Sequence, residues 1–270
     1  MMNFEIDYIS AKGGFYSTFL QRRVTFRLVA PSMYTHASHR FPVLLMNDGQ
    51  DYTQMNLEKI LTAAFSDKKI SPFVYVGIEA NENRIQEYGT SISADFKGRG
   101  SKAPNYAKFI VEEFIPFLQK EYKISTNKED WVYTGMSLGG LSAIDIVLNH
   151  SNTFGKVGVF SGSFWWRNKA YVKNDIADRS RIILQVIKNS KPATHLKFWF
   201  QCGSEDEKAD RNGNGIIDAI DDTQEVIKEL KLKGYKATKS ISYVEISGGK
   251  HDLHTWSQVF PKFITWAFGK

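Results

Sequence analysis

Short apolar runs and longer amphipathic stretches take turns along this chain. Val24–Ala30 (VTFRLVA) alternates with a period of two and reads as an edge-like strand, whereas Pro42–Asn47 (PVLLMN) is a short apolar run between turn residues, as a buried strand requires. Leu57–Phe65 switches to helical spacing, Phe73–Ile78 returns to strand, and Tyr106–Tyr122 is the longest amphipathic helix. The rhythm continues through strand Trp131–Thr134, helix Leu138–Leu148, strand Lys156–Phe160, helix Ile176–Ile187 and strand Leu196–Cys202. Helix Asp221–Leu232, strand Ser240–Ile246 and a terminal helix over Trp256–Ala267 complete it. Repeated strand–helix units with apolar strands predict an α/β protein with a mostly parallel central sheet and helices on both faces.

Composition narrows the partners. The 270 residues are 42% hydrophobic and 24% charged, within the globular range, and no Pro/Gly/Ser linker divides them, so one domain over 1–270 is expected. The 35 Lys and Arg against 29 Asp and Glu leave +6, a mild excess that forms no stripe, which argues against nucleic acid. No apolar run approaches the ~18 residues of a membrane span. The opening MMNFEIDYISAKGG has neither a basic nor an apolar signal region, so a cytoplasmic location without membrane contact is expected. The lone Cys202 excludes an intrachain disulfide and a multi-thiolate metal site, and reads as a buried strand residue. The oligomeric state is not readable.

Candidate chemistry sits between strand WVYT and helix LSAIDIVL, where Gly135-Met136-Ser137-Leu138-Gly139-Gly140 supplies G-x-S-x-G. A sharp strand-to-helix turn strains the serine backbone and exposes its hydroxyl, while the glycines remove side chains that would collide with neighbours. The helix N-terminus beside it favours developing negative charge. A serine nucleophile needs a base and an acid that orients the base, and the chain order of this elbow is Ser, acid, His. His251 follows the last strand and its glycines, while His254 lies nearer the terminal helix, where a capping or surface role is expected. After strand LKFWFQC come Glu205, Asp206 and Glu207, of which Asp206 is favoured as the acid. The oxyanion hole calls for the N–H of Leu138 and one from the early loop Asn47–Tyr52, where Gln50 follows the glycine; Asp48 and Asp51 are expected to cap the turn.

These residues and the pieces PVLLMNDGQ, RIQEYGTS, GMSLGGLSAID, GVFSGSFWW, CGSEDE and GGKHDLHTW resemble the esterase D-like branch of the α/β-hydrolases, especially enterochelin and feruloyl esterase relatives. The resemblance spans residues 42 to 256. It implies an α/β-hydrolase fold, a small-molecule ester substrate, no catalytic cofactor, Asp206 as the acid of a G-x-x-D turn and His251 as the base. Trp165 and Trp166 in SGSFWW could then line the substrate pocket, and Arg84 and Tyr88 in RIQEY could hold an anionic or catecholic group. Acyl transfer to an alcohol on the same fold, and a silent carbohydrate- or siderophore-binding module, are the rival readings.

A second pattern follows the acid turn. From Asp210 to Asp221, oxygen side chains recur at loop positions 1, 3, 5, 9 and 12 (Asp210, Asn212, Asn214, Asp218, Asp221), with glycine at 6 and the Ile216 carbonyl at 7. That is the spacing of a 12-residue calcium loop, although position 12 is Asp and no clear helix enters it. Residues 203–222 hold seven acids and two bases, a local −5 that a divalent cation would relieve. A structural Ca2+ that stiffens the acid-bearing loop is the expectation.

Overall fold

The computed structural model describes residues 8–172 and 180–270. Eight strands form one sheet in the order β1-β2-β4-β3-β5-β6-β7-β8. They are β1 Tyr8–Ser17, β2 Arg22–Pro31, β3 Val43–Met46, β4 Val74–Ile78, β5 Trp131–Met136, β6 Lys156–Phe160, β7 Lys197–Glu205 and β8 Ile241–Lys250. Strands β3 to β8 run parallel to one another; β1 pairs antiparallel with β2, and β2 antiparallel with β4. Because the parallel strands leave the sheet at one edge, the segments that follow each of them collect there.

Helices are α1 Leu57–Ser66, α2 Arg84–Glu87, α3 Ala103–Lys108, α4 Ile115–Glu121, α5 Leu138–Asn149, α6 Ile182–Asn189, α7 Asp218–Leu232, α8 Ala237–Ser240 and α9 Leu253–Phe268. Alternate strand residues feed two cores, since side chains of a strand point to opposite faces in turn. Val43 and Leu45 join Tyr133, Leu141, Ile182 and Val226 on the face of α3 to α7, while Leu44 and Met46 join Leu61, Phe260 and Phe263 on the face of α1 and α9. Among the described residues no helix is long and apolar enough to cross a membrane.

The expected elements occur in the expected order, preceded by a strand, β1, that the sequence reading did not include, and with four corrections. Val24–Ala30 belongs to β2 but is not an edge, because β1 covers it. The stretch Tyr106–Tyr122 is not one regular helix: α3 and α4 are joined by a π-helical turn, Phe109–Phe114, in which the Ile115 N–H reaches back five residues to the Ile110 carbonyl. Pro116 at the start of α4 has no N–H to offer the Glu112 carbonyl, which favours this irregular junction. The terminal helix starts earlier than expected, at Leu253, where Asp252 accepts a hydrogen bond from the Thr255 N–H at 2.8 Å. Of the expected helix Ile176–Ile187, residues 176–179 lie outside the described residues, and the described helix begins at Ile182.

Candidate active site

The turn between β5 and α5 is built by contact distances. Ser137 has φ 52° and ψ −122°, a conformation costly for any residue with a side chain. A Cβ on Gly135 would lie 2.5 Å from the Gly139 carbonyl carbon, and one on Gly140 would lie 2.8 Å from the Gly135 oxygen, so strand and helix meet only where side chains are missing. The Ser137 N–H donates to the Phe160 carbonyl at 2.8 Å, which ties the elbow to the end of β6. Half-buried, the serine keeps its hydroxyl 3.2 Å from Ser163 Oγ.

Two strands away, β7 and β8 bring the proposed acid and base to the same edge. A Cβ on Gly203 would come 2.2 Å from the Gly249 carbonyl oxygen, so the acid turn closes tightly against β8, and Ser204 Oγ accepts the Gly248 N–H at 2.8 Å. Of the three acids only Asp206 is buried; Glu205 is exposed and pairs in register with Lys250. Neither Asp206 carboxylate oxygen makes a well-formed hydrogen bond to a described residue, although the Ser161 hydroxyl lies near enough to act on it. Burial pushes its carboxyl up from the usual carboxylate range, against the lowering influence of the Ser161 hydroxyl and of His251. The crowding of His251 by protein lowers its imidazole, and the negative charges of Asp206 and Asp252 partly offset that. Exposed overall, His251 sets its ring edge-on to Trp256 at 5.1 Å. His254 is exposed on α9 with Nε2 at 2.9 Å from Gln258 Nε2, a surface arrangement.

Serines that the sequence reading did not single out bridge these halves. Trp256 Nε1 donates to Ser161 Oγ at 2.9 Å, Ser161 N–H donates to the Gln201 carbonyl at 2.7 Å, and Ser163 N–H donates to the Ser137 carbonyl at 3.2 Å. Ser161 also has φ 45°, a second strained residue beside the first. Contacts therefore run from the elbow through the segment after β6 to the Trp256–His251 pair, and no hydrogen bond joins Ser137 to His251 directly. The signal available in sequence was S-G-S at the end of an apolar strand.

The loop after β3 faces the elbow from the other side. Asn47 Nδ2 donates to the Gly139 carbonyl at 2.8 Å, while its Oδ1 accepts from Tyr106 and Tyr133 hydroxyls at 2.7 and 2.8 Å. Gln50 lies in the first turn of a 3-10 helix, Gly49–Tyr52, and Leu138 opens α5; N–H groups in such first turns lack an acceptor within their own helix. Gln50 Oε1 accepts the Ala80 N–H at 2.9 Å, which pins the side chain to the segment after β4. Asp48 stands at the N-cap position of this turn, but against expectation its side chain makes no capping hydrogen bond; its carboxylate is paired with Arg84 instead. Asp51 is half-buried in the same turn, and burial together with Asp48 raises its carboxyl.

Of the four expected substrate contacts, only Trp165 presents an exposed ring, 38% accessible. Trp166 is fully buried, with Gly89 and Gly100 packed on its Cζ2 edge, so it anchors the wall instead of facing a ligand. Tyr88 is buried as well, its hydroxyl accepting the Asp48 N–H at 3.3 Å. Arg84 grips Asp48 through two hydrogen bonds and stacks on the Tyr88 ring at 5.0 Å. Arg99 lies over both Trp165 and Trp166, at 5.2 and 5.0 Å.

The 210–221 loop folds back on itself. Asp210 accepts the N–H groups of Gly213, Asn214 and Gly215, Asn214 Oδ1 accepts the Ile216 N–H, and Asn212 and Asn214 side-chain amides both lie 2.8 Å from one oxygen of Asp221. Arg211 donates its N–H to Asp218 at 2.9 Å and pairs its guanidinium with Asp218 and Asp222. Among the described residues no three His, Cys, Asp or Glu side chains form a group able to hold a metal.

Comparisons with known proteins bear on the family and the fold. A family described as "Putative esterase" matches residues 17–266. The "Uncharacterized protein YbbA" of Bacillus subtilis is 28% identical over 249 residues, 91% of this chain and 92% of its own. The "Endo-1,4-beta-xylanase/feruloyl esterase" of Xylanibacter ruminicola is 24% identical over 83% of this chain and 26% of its own, and the Escherichia coli K12 "Iron(III) enterobactin esterase" is 28% identical over 47% and 30%. Among solved structures, a ferulic acid esterase superposes with TM-score 0.74 at 16% identity, over 98% of this chain and 100% of its own. The enterobactin esterase FES of Shigella flexneri superposes with TM-score 0.73 at 20% identity, over 96% and 58%. The fold is thus that of the α/β-hydrolase esterases.

Proposed function

Since this chain belongs to the esterase family matched over residues 17–266, we propose that it hydrolyses carboxylic esters through a Ser137–His251–Asp206 triad and an acyl-enzyme. Ser137 Oγ attacks the ester carbonyl as His251 takes its proton, and the N–H groups of Leu138 and Gln50 receive the negative charge of the tetrahedral intermediate. Asp206 stabilises the imidazolium that forms, a task for which a buried carboxylate whose charge acts on His251 is suited. His251 then protonates the leaving alcohol, and water repeats the sequence on the acyl group. The observation that carries this reading is the positive φ of Ser137 at a glycine-walled strand-to-helix elbow.

The substrate class we propose is esters of aromatic acids, with the exposed Trp165 ring and the Arg99 guanidinium above it as the platform. A feruloyl esterase among the relatives supports it. A fluorophosphonate probe should label the wild-type protein on Ser137 alone, and Ser137→Ala should lower hydrolysis of aryl and acetyl esters by about 1,000-fold or more. Labelling elsewhere, or an active Ser137→Ala, removes the assignment.

No catalytic cofactor enters this chemistry. For the 210–221 loop we propose a structural calcium ion, held by Asp210, Asn212, Asn214, the Ile216 carbonyl, Asp218 and Asp221. Its support is the calcium-loop spacing of these oxygen side chains, the local excess of acids, and the way the side chains of Asn212 and Asn214 both reach one Asp221 oxygen at 2.8 Å. Chelation should lower the melting temperature by several degrees, with one calcium per chain in elemental analysis; an unchanged melt and no metal would dismiss the ion.

A further inference from the structure

The oxyanion loop contains a charge that the reaction should not tolerate. Asp48 is held in the left-handed region, φ 60°, and its side chain is 4% accessible. Its Oδ2 sits so close to the first turn of α5 that a Cβ on Gly139 would come within 2.6 Å of it. On the other side, Oδ1 accepts a hydrogen bond from Gln50 Nε2 at 3.2 Å. A carboxylate thus lies between the two segments whose N–H groups are assigned to the oxyanion, and a buried anion there opposes the growth of a second.

Arg84 answers that charge. Its Nε and a terminal nitrogen donate to Oδ1 and Oδ2 at 2.7 and 2.8 Å, the two-pronged geometry in which guanidinium and carboxylate match best. The arginine and the short helix that carries it are themselves held in place. Its plane rests on Tyr88, Glu87 next in the same short helix is gripped by Arg22 at 2.8 and 2.7 Å, and Gly89 donates to Ser142 Oγ of α5 at 2.8 Å. So rigid a mounting exceeds what a surface ion pair needs.

We propose that Arg84 is a positioning residue of the hydrolytic site: it cancels the Asp48 charge beside the nascent oxyanion and holds the loop that presents Gln50. This rests on the serine-hydrolase reading. It assigns Arg84 to the oxyanion machinery and takes it away from the substrate pocket. The two residues then act as one neutral unit, so loss of the arginine alone is worse than loss of both charges.

The test is a double-mutant cycle on the full chain with a short p-nitrophenyl ester. Arg84→Gln should lower kcat by about 100-fold with KM changed less than threefold, the size expected when oxyanion stabilisation is impaired. Asp48→Asn alone should cost less than tenfold, and Arg84→Gln/Asp48→Asn should regain at least tenfold in kcat over Arg84→Gln. A double variant as slow as Arg84→Gln, or a loss confined to KM as for a substrate contact, overturns the proposal. If Arg84→Gln does not fold, Arg84→Lys decides: retained charge should keep kcat within tenfold of wild type, and a 100-fold fall overturns it. A wild-type protein that neither hydrolyses the ester nor takes a fluorophosphonate label condemns the hydrolase reading itself, which separates the two failures.

Discussion

The two sides of the site are built by different forces. At the elbow, backbone approaches backbone at distances that admit no side chain at 135 or 140, and sterics together with backbone hydrogen bonds fix where Ser137 stands. At the acid and base, Asp206 is buried while His251 is largely exposed, and the influence each has on the other's protonation is one of charge. One side fails all at once when an atom is added; the other is tuned gradually by protonation.

Breaking the steric side should have the largest effect. Gly135→Ala puts a methyl group against the Gly139 backbone, which cannot give way as a flexible side chain would, and should cost about 1–3 kcal/mol along with fluorophosphonate labelling. A fully labelled, equally stable variant would show that the elbow has slack. On the electrostatic side, Asp206→Asn should leave the melt nearly unchanged but slow hydrolysis by roughly 100- to 10,000-fold. The wild-type kcat/KM should rise with pH through an apparent pKa below the ordinary histidine value, because His251 must be neutral to accept the serine proton and its surroundings disfavour the cation. A limb above that value contradicts the described environment.

The smallest effect concerns a carboxyl outside the reaction. Asp145 of α5 accepts the Ser91 N–H and hydroxyl at 2.9 and 2.7 Å, and burial pushes it up to about 6. A raised carboxyl binds its proton more tightly in the folded chain, so its contribution to stability is present at low pH and declines as pH rises from about 4 to about 6. Asp145→Asn should therefore gain stability relative to wild type across that window in pH-dependent thermal melts. A constant difference would mean that Asp145 does not titrate there.

The same division governs what could be read from sequence. The parallel strands and the elbow were legible because apolar runs and glycine spacing are local consequences of packing. β1 was not, since YISAKGGFYS carries two glycines that look like loop; in the structure the Phe26 ring and the Arg23 guanidinium of β2 occupy the space above Gly13 and Gly14. At the candidate site, Ser137, Asp206 and His251 were chosen by their order along the chain. The pairing of Asp48 with Arg84, 36 positions apart, and the burial of Tyr88 and Trp166 were not, because nothing local records which rings and charges meet after folding.

The π turn at Phe109–Phe114 has a consequence for the loop it serves. A regular helix advances about 100° per residue, so the wide turn rotates everything on one side of it by about one residue's worth relative to the other. That offset lets Tyr106 aim its hydroxyl at Asn47 while Phe114 and Leu118 stay sunk beneath the sheet. Shortening the segment by a single amino acid would straighten the rod and force a choice between the tyrosine's grip and the oily underside.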